Sequence, residues 1–362
     1  MQIAVVRPDE LGSADLASWN KVQAHNPELD SPFLSPLFAV AVGQVKAQTR
    51  VAILSEGSGP VGFFAYERGR RRQGKALAMG LSDVQGLVMS PAIATDMGHV
   101  MAACDLDLFL FDHLLASQGS RLDDLPRRLY TQGSPAVDLT AGFDDYVGQQ
   151  KKVSRSLFQS TERKRRKLEK ERGQIRLSFH EPNHQLLDDV LKWKSNQYRR
   201  TGRRDRFANA ETRALVHVLL DMETSTFGAP LTVLYAGDSV VAAHLGVRSR
   251  HTLAWWFPMY NPAFAAYSPG LVLLLEMAKA MTTKNLSLLD LGKGDESYKQ
   301  RVANTRINLL EGSVASNRAT HMLHTARTWP ARQLTNIVLQ SPQLRRLSRR
   351  TLNLAGRVRR SA

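Results

Sequence analysis

Four side chains that can carry protons occur in the C-terminal part of this sequence. Asp290 ends an apolar run, Glu296 and Tyr298 follow within a few residues, and His244 lies among small and apolar residues in "VVAAHLGV". A histidine, a carboxylate and a tyrosine are groups that can take a proton from an attacking amine and return one to a leaving group. We therefore predict His244, Asp290, Glu296 and Tyr298 as catalytic residues. Which of the first three acts as the base stays open.

Each of these residues also has a purely structural explanation. A lone histidine in a strand is commonly a hydrogen-bonded core residue, and an aspartate at a strand end can simply cap the turn that follows. Lys299 directly follows Tyr298 and fits an exposed lysine as well as a ligand-binding one. The prediction of a site rests on two adjacent strand ends that would bring these side chains together.

The turn after Asp290, "LGKGDE", is close to two nucleotide-binding motifs but fits neither. In the first motif of S-adenosylmethionine methyltransferases a third glycine stands where this chain has Glu296, and only 66 residues follow Glu296. That motif lies on the first strand of a doubly wound sheet, which needs several more strand–helix units after it. The phosphate-loop pattern Gly-x-x-x-x-Gly-Lys-Ser/Thr is absent here. The polar groups of the turn are therefore expected to face a substrate that is held elsewhere.

A second candidate for ligand binding is the helix start "YSPGLVLLL". Ser268 is a favourable N-cap residue, Pro269 a favourable first helical residue, and Gly270 leaves the helix entrance free of side-chain bulk. Free backbone N–H groups at such a helix start suit an anion such as a pyrophosphate. A well-capped helix without any ligand explains the same residues.

The order of elements can be read most clearly after Gly173, where a helix over residues 142–172 is expected to end. Hydrophobic periodicity and turn residues predict the order β-α-α-β-β-β-α-β-α-β for the second unit, with a hairpin through Gly237 and Asp238. The first unit is predicted to be mixed α/β. In it, "LSDVQG" (81–86) is interpreted as a turn rather than as a site.

The net charge of +16 comes from two segments. Residues 151–172 carry ten Lys or Arg against three Glu, and residues 321–362 carry nine Arg and no acid. Both segments fit solvated helix surface, but the tail also interleaves Leu, Ile and Val with Arg. An anionic membrane surface or an acidic partner would suit it. Nucleic-acid binding is the weaker interpretation, because the basic helix contains Glu and has no interleaved aromatic residues.

Other classes of protein are disfavoured by composition. Cys104 is the only cysteine, which rules out an intrachain disulfide and a cysteine-rich zinc site, and we expect no metal. The first residues lack the order of a signal peptide, and the apolar run "LVLLLEMAKAM" contains Glu276 and Lys279 and is too short to span a bilayer. We expect a cytoplasmic protein, with peripheral membrane contact as a hypothesis for the tail.

Several of these segments together carry a family resemblance. The order of the second unit resembles that of the GNAT acyltransferase superfamily. The segments "AYSPGLVLLLEMAKAM", "LSLLDLGKGDESYKQR", "VAAHLGV" and "WWFPMYNPAF" are similar to the acetyltransferase domain of the CelD-like group, which is associated with cellulose and exopolysaccharide production and related to Fem-type aminoacyl transferases. "SPFLSPLF" and "LSDVQG" resemble the N-terminal half of that group.

The resemblance implies a splay between two neighbouring parallel strands, here "TLAWWFPMY" and "LSLLDLG", that accepts the pantetheine arm of an acyl-CoA. It places the pyrophosphate at the helix start. The cofactor-binding residues predicted on this basis are Phe257, Met259, Tyr260, Ser268, Gly270 and Lys299.

Only Gly270 matches the usual Gln/Arg-x-x-Gly-x-Gly/Ala signature of the superfamily. Acyl-CoA (acetyl-CoA) is the co-substrate that the resemblance implies. Because the signature is incomplete, an acyl carrier protein and an aminoacyl-tRNA are the alternative donors.

The fold predicted from these observations is an α/β fold with a mixed sheet, made of two tandem GNAT-like domains of which the second is complete. The expected boundaries are a degenerate N-terminal domain over 1–145, a basic linking helix over 146–173, the acyltransferase domain over 174–316 and a basic amphipathic tail over 317–362.

The expected function is N-acylation of a small-molecule amine, such as an amino sugar of polysaccharide biosynthesis, by direct attack on a thioester. The alternatives are a non-catalytic accessory protein of a polysaccharide synthase complex and an aminoacyl-tRNA-dependent transferase.

Overall fold

The secondary structure follows from a computed structural model that describes residues 1–57, 59–90, 93, 95–294 and 296–328. The helices are α1 (Ser13–Ala24), α2 (Pro36–Val45), α3 (Met97–Ala103), α4 (Phe143–Arg172), α5 (His184–Arg200), α6 (Ala210–Leu220), α7 (Pro269–Met281) and α8 (Ser297–Val302). The strands are β1 (Gln2–Val6), β2 (Thr49–Glu56), β3 (Gly59–Arg68), β4 (Gln73–Ala76), β5 (Val88–Met89), β6 (Leu108–Leu115), β7 (Arg127–Asp138), β8 (Ile175–Ser178), β9 (Leu231–Ala236), β10 (Ser239–Arg248), β11 (Thr252–Tyr260), β12 (Leu288–Asp290) and β13 (Thr305–Ala315). Residues 318–328 are also helical.

The order predicted for the second unit agrees with the structure from β8 to β13. Local signals explain this agreement. Gly173 ends α4 with φ of 100°, and Gly237 forms the tight turn between β9 and β10 with φ of 54°. Residues other than glycine rarely adopt these backbone conformations.

The strands form one mixed sheet in the order β1-β2-β3-β4-β6-β13-β7-β12-β11-β10-β9-β8, with β5 paired to β3. Most neighbours are antiparallel, but β4 pairs with β6 and β11 pairs with β12 in parallel. Each half of the chain therefore contributes one parallel pair at a corresponding place in the sheet. This is the internal repetition expected of tandem domains.

The two halves exchange strands in the middle of this sheet. The last strand of the second half, β13, pairs with both β6 and β7 of the first half. In turn β7 pairs along its final residues with β12. The domain division proposed from the sequence stays a prediction, and the hydrogen-bonded sheet runs across it without a break.

Apolar side chains cover both faces of the sheet. One core joins α1 and α2 to α5 and α6 and includes Trp256 and Phe257 of β11. The opposite face of the second half is covered by α4, α7 and α8, and Trp255 packs there. Because side chains alternate along a strand, consecutive tryptophans of β11 point to different faces.

The basic helix α4 is partly a packing element rather than only a solvated surface. Leu168 is fully buried, and Arg165 forms an ion pair with Glu276 of α7. Lys151, Lys152, Arg155, Arg163 and Arg166 remain exposed. The tail charges that prompted the membrane hypothesis lie mostly at 329–362, outside the described residues. In the part of the chain that the structure describes, the helices are too short or too polar to cross a membrane.

Candidate active site

The splay between β11 and β12 is present. The two strands are in register at only three positions, Thr252 with Leu288, Leu253 with Leu289 and Ala254 with Asp290. Beyond these pairs β11 continues to Tyr260, whereas the chain leaves β12 through a turn at Gly292, whose φ is 70°. A gap therefore opens in the sheet at the carboxyl ends of two parallel strands, the usual place for a ligand in such sheets.

A cavity of about 500 Å³ occupies this gap. It is bounded by both faces of the sheet, because Tyr198 and Trp256 belong to one core while Trp255 and Tyr298 belong to the other. Eight of the ten sequence-predicted site residues line it: Phe257, Met259, Tyr260, Ser268, Gly270, Glu296, Tyr298 and Lys299. His244 and Asp290 are not among the lining residues.

The start of α7 forms one wall of the cavity. Ser268 adopts a left-handed backbone conformation with φ of 52°, and its hydroxyl accepts a hydrogen bond from Lys164 of α4 (2.7 Å) instead of capping the helix. A non-glycine residue in this conformation costs about 1–3 kcal/mol, and such strain is concentrated at functional sites. A side chain added at Gly270 would extend into open space. The expected open helix entrance is thus present, with Lys164 beside it.

The turn after β12 is held by charged side chains. The ammonium group of Lys299 is buried and donates to the carbonyl oxygens of Gly292 (2.9 Å) and Lys293 (3.3 Å). It also lies 3.5 Å from Glu296, which accepts from Arg203 at 3.3 Å. Burial opposes ionisation of Glu296, but Lys299 and Arg203 outweigh it and lower its pKa. Glu296 is therefore a stable anion, and Lys299 mainly fixes the turn.

Tyr298 lines the same cavity. Its oxygen accepts a hydrogen bond from the indole N–H of Trp255 at 3.3 Å. Burial raises the pKa of Tyr298 to about 12, so the phenol stays protonated at neutral pH. It can donate a hydrogen bond to a leaving group or to the carbonyl under attack.

His244 lies in the core outside the cavity. Its ring is fully buried against Trp255, and its Nε2 accepts a hydrogen bond from the backbone N–H of Trp256 at 3.1 Å. Burial lowers the pKa of His244 to about 3, so the imidazole is neutral. These contacts favour the structural explanation of His244 over the role of base that the sequence suggested.

Asp290 also lies behind the cavity wall. It is 2% exposed, and its Oδ1 accepts hydrogen bonds from the hydroxyl of Ser134 and from the N–H of Gly292 (3.0 Å). Burial raises its pKa. Asp290 thus shapes the turn and places a carboxyl group directly behind the cavity.

Sequence reasoning missed Asp83, a second carboxylate that lines the cavity besides Glu296. It belongs to the loop "LSDVQG" of the first half, which was interpreted as a turn. The loop is tied to β11 by the indole N–H of Trp256, which donates to the carbonyl of Leu81 at 2.7 Å. Asp83 then lies beside Gly292, where a Cβ would be 3.2 Å from its Oδ2. The only feature of the sequence that could have indicated Asp83 is a carboxylate within a polar loop between two apolar segments.

The electrostatic environment of Asp83 differs from that of an ordinary surface carboxylate. Burial, together with the negative charge of Asp290, raises the pKa of Asp83 to about 7. The charges of Lys299 and Arg206 and the nearby imidazole of His113 act in the opposite direction and lower the pKa of Asp83. A carboxylate with a pKa near neutrality can both accept and release a proton under physiological conditions.

In the first half, the loop "LSDVQG" fills the gap beyond the parallel pair of β4 and β6. β4 and β6 pair in parallel at three positions, and beyond them Gln85 takes over, pairing in parallel with Leu114. The backbone of Gln85 bonds to His113 and Leu115 of β6 (2.8 and 3.0 Å), and its side-chain oxygen accepts from the N–H groups of Asp112 and His113. The first half therefore closes its own splay and presents Asp83 to the second.

A lysine of α5 completes the cavity on the side of Asp83. Lys194 donates to the carbonyl oxygen of Pro258 at 2.8 Å. Burial, with the nearby positive charge of Arg203, lowers the pKa of Lys194 to about 8. Gln197, Tyr198 and Arg206 line the cavity next to it. Within the described ranges, no group of three or more His, Cys, Asp or Glu residues could hold a metal ion.

The sequence itself matches a known domain over this part of the chain. Residues 155–300, which run from α4 through α8, match the family described as "Acetyltransferase (GNAT) domain". The match to the GNAT domain covers residues 155–300 of this chain. The predicted fold class and the expectation of an acyltransferase are thereby confirmed. The finer assignment to the CelD-like group is not tested by this match and stays a prediction. No curated protein matches the sequence.

Solved structures share the fold of the GNAT domain together with the first half. FemX has a TM-score of 0.58 at 9% identity, with 89% of this chain and 99% of that chain covered. The C-terminal domain of a protein described as a lysylphosphatidylglycerol synthetase from Agrobacterium fabrum has a TM-score of 0.51 at 14% identity, with coverages of 86% and 97%. L-PGS from Bacillus licheniformis has a TM-score of 0.51 at 11% identity, with coverages of 94% and 99%. At these identities the likeness concerns the fold alone.

Proposed function

We propose that this protein transfers an acyl group from an activated donor to an amine, with Asp83 as the general base. The observation that carries the proposal is the cavity in the sheet gap, which joins a helix start suited to a donor with a carboxylate whose pKa is raised to about 7. A base with a pKa near the working pH is effective in proton transfer from an attacking nucleophile.

The reaction would proceed by direct attack. The amine nitrogen attacks the carbonyl carbon of the donor, a C–N bond forms, and the bond from that carbon to the leaving sulfur or oxygen breaks. Asp83 takes the proton lost by the amine and later releases it to solvent. Tyr298 donates a hydrogen bond to the leaving group, which obtains its proton from the tyrosine or from water. The tyrosine is then reprotonated by solvent.

No covalent intermediate on the protein is needed for this route. Cys104 is buried in the core of the first half, and burial raises its pKa to about 11, so it is a thiol rather than a nucleophilic thiolate. The side chains around the cavity instead fit acid–base chemistry, with Asp83 and Tyr298 both in its lining.

The donor proposed first is a thioester such as acyl-CoA. Its acyl arm would enter the gap between β11 and β12, and its phosphates would lie near Lys164 and the N–H of Gly270. The resemblance to the CelD-like group makes an amino sugar of polysaccharide synthesis one acceptor worth testing. An acyl carrier protein could present the same thioester.

A second donor, an aminoacyl-tRNA, is supported by the charge on α4. The exposed cations of that helix continue from Lys164, which touches the helix entrance at Ser268. A polyanionic donor would contact such a surface, and its binding would weaken steeply with salt. This donor is distinguished from acyl-CoA by measuring tRNA and acyl-CoA binding over a range of salt concentrations.

The test uses calorimetric titration of the full chain with acetyl-CoA and with a longer acyl-CoA. Gly270→Glu places a carboxylate in the open space at the helix entrance, so the proposal predicts saturable binding by the wild type and its loss in this variant. Gly148→Glu is the matched control, because Gly148 is also helical with open space around its Cβ position and lies on α4. Equal binding by the wild type and Gly270→Glu would place the donor elsewhere.

Absence of binding to either thioester would exclude the CoA donor. Steep salt-dependent tRNA binding would then favour the aminoacyl donor. Absence of both would leave the non-catalytic accessory role, and the proposed function would be abandoned.

A further inference from the structure

Cationic side chains gather on the wall of the cavity that faces α5. Lys194 lies on α5 itself, and Arg203 and Arg206 lie in the segment between α5 and α6. Their charges act on one another, because both arginines contribute to the lowered pKa of Lys194. Arg206 also acts on Asp83 and Tyr198. All three cations line the cavity that holds the proposed base, and Arg206 acts on that base directly.

This group of cations is incompletely neutralised. Arg203 is paired with Glu296, and Lys194 donates only to the carbonyl of Pro258. Among the described residues, the guanidinium group of Arg206 has neither a hydrogen-bond nor an ion-pair partner. A cavity wall with several like charges is unfavourable without a counter-charge, so a ligand that brings one gains affinity there.

The cations lie on a different face of the sheet from the donor entrance. Tyr198 and Phe207, which flank Arg203 and Arg206 in sequence, pack into the core shared with α1 and α2. The start of α7 belongs to the opposite face, where α4 packs. An anion held by Lys194, Arg203 and Arg206 would thus approach the gap from the side opposite the donor, which is the side that carries Asp83.

We propose that the amine acceptor carries a phosphate group and that Lys194, Arg203 and Arg206 bind it. This inference rests on the proposed function and narrows its acceptor to phosphate-bearing amines. Phosphate is favoured over a carboxylate because it offers three terminal oxygens to several cations at once, and two of those cations are guanidinium groups, which pair with phosphate through two parallel hydrogen bonds. Bound in this way, the acceptor would direct its amine towards Asp83.

The experiment measures acceptor binding without any donor. The full chain is titrated with inorganic phosphate, with glucosamine 6-phosphate and with glucosamine, and vesicles of phosphatidylethanolamine test a lipid-borne phosphate. We expect saturable binding of a phosphate-bearing probe that exceeds binding of glucosamine. Arg206→Gln should weaken it by roughly 10- to 100-fold, the loss of one charge-assisted contact. Arg204→Gln is the control, since Arg204 is exposed next to Arg206 but does not line the cavity.

The outcomes separate this inference from the proposed function. If no phosphate-bearing probe binds, or if Arg204→Gln and Arg206→Gln weaken binding equally, the phosphate site is refuted even if neutral amines are acylated. Binding of a carboxylate-bearing amine in place of phosphate, with the same dependence on Arg206, would also overturn it. If phosphate binds as expected but no donor yields acyl transfer, the site stands and the proposed function fails.

Discussion

Asp83→Asn is the substitution that tests the proposed base most directly. Asparagine keeps the size of the side chain but cannot accept the proton of the amine. General base catalysis contributes about 10²–10⁴-fold in rate, so kcat should fall by roughly that factor. Donor binding should not change, because Asp83 lies on the wall opposite the start of α7. A variant that keeps most of the wild-type kcat would refute the assignment.

The same substitution should stabilise the folded protein. A carboxyl whose pKa is raised from 3.8 to about 7 is disfavoured as an anion in the folded state, and each pKa unit corresponds to about 1.4 kcal/mol. The full shift sets an upper limit of about 4 kcal/mol. Because Asp83 retains some exposure to the cavity and interacts with Asp290, we expect a gain of about 1–2 kcal/mol.

The sign of the pH dependence follows from the raised pKa. Below pH 4 the carboxyl is protonated in both the folded and the unfolded chain, and the substitution has no electrostatic effect. As the pH rises from about 4 to about 7, only the unfolded chain ionises, and the cost to the wild type grows; it is complete above pH 7. Asp83→Asn should therefore stabilise the protein more at pH 8 than at pH 5.

Urea denaturation at the two pH values measures this difference. Asp112→Asn is a useful contrast, because the contact with His113 outweighs burial and lowers the pKa of Asp112, so its loss should destabilise the protein at pH 8. Equal stabilisation by Asp83→Asn at pH 5 and pH 8 would show that Asp83 does not titrate as described.

Three further predictions concern neighbouring groups. The value of kcat/KM should rise with pH through about pH 7, as Asp83 ionises. For a phosphate-bearing acceptor it should fall above about pH 8, as Lys194 loses its proton. A profile with no alkaline decline would show that Lys194 does not bind the acceptor. Gly292→Ala should reduce both stability and activity, because the backbone φ of 70° is unfavourable for alanine and the added Cβ would approach Asp83 closely. Gly57→Ala is the control, because Gly57 has a φ of 56° but open surroundings. In denaturation experiments the control should show only the backbone cost of about 1 kcal/mol. His244→Leu should lose about 1–3 kcal/mol of stability, because the N–H of Trp256 loses its hydrogen-bond acceptor. The kcat of the folded protein should not change. A large fall in kcat would restore His244 as a candidate base.

Local signals in the sequence were sufficient for the second half of the fold. Turn glycines, the apolar alternation of the strands and the capping residues are encoded within a few positions, and they placed β8 to β13 in the right order. β7 has no comparable local signal, because its first half, "RRLYTQG", is polar and only partly buried. Its strand conformation depends on β13, which is more than 150 residues away and supplies most of its hydrogen bonds.

The candidate site could be predicted only where its residues are close together in the sequence. Gly270, Glu296, Tyr298 and Lys299 were found because they occur at a helix start and a strand end. Asp83 could not be placed, because its position beside Gly292 depends on the packing of one half against the other. His244 shows the converse limit, since a strand pattern does not reveal that Trp255 covers the ring on one side.

The exchange of β7 and β13 has a consequence for how the protein is made. Synthesis proceeds from the N-terminus, so β6 and β7 emerge long before the strand that lies between them. The first half cannot complete its sheet until residue 315 has left the ribosome, and until then β6 and β7 expose unpaired edges. Contacts of such long sequence separation form late and slowly. A shortened chain that lacks β13 would leave both halves unfinished.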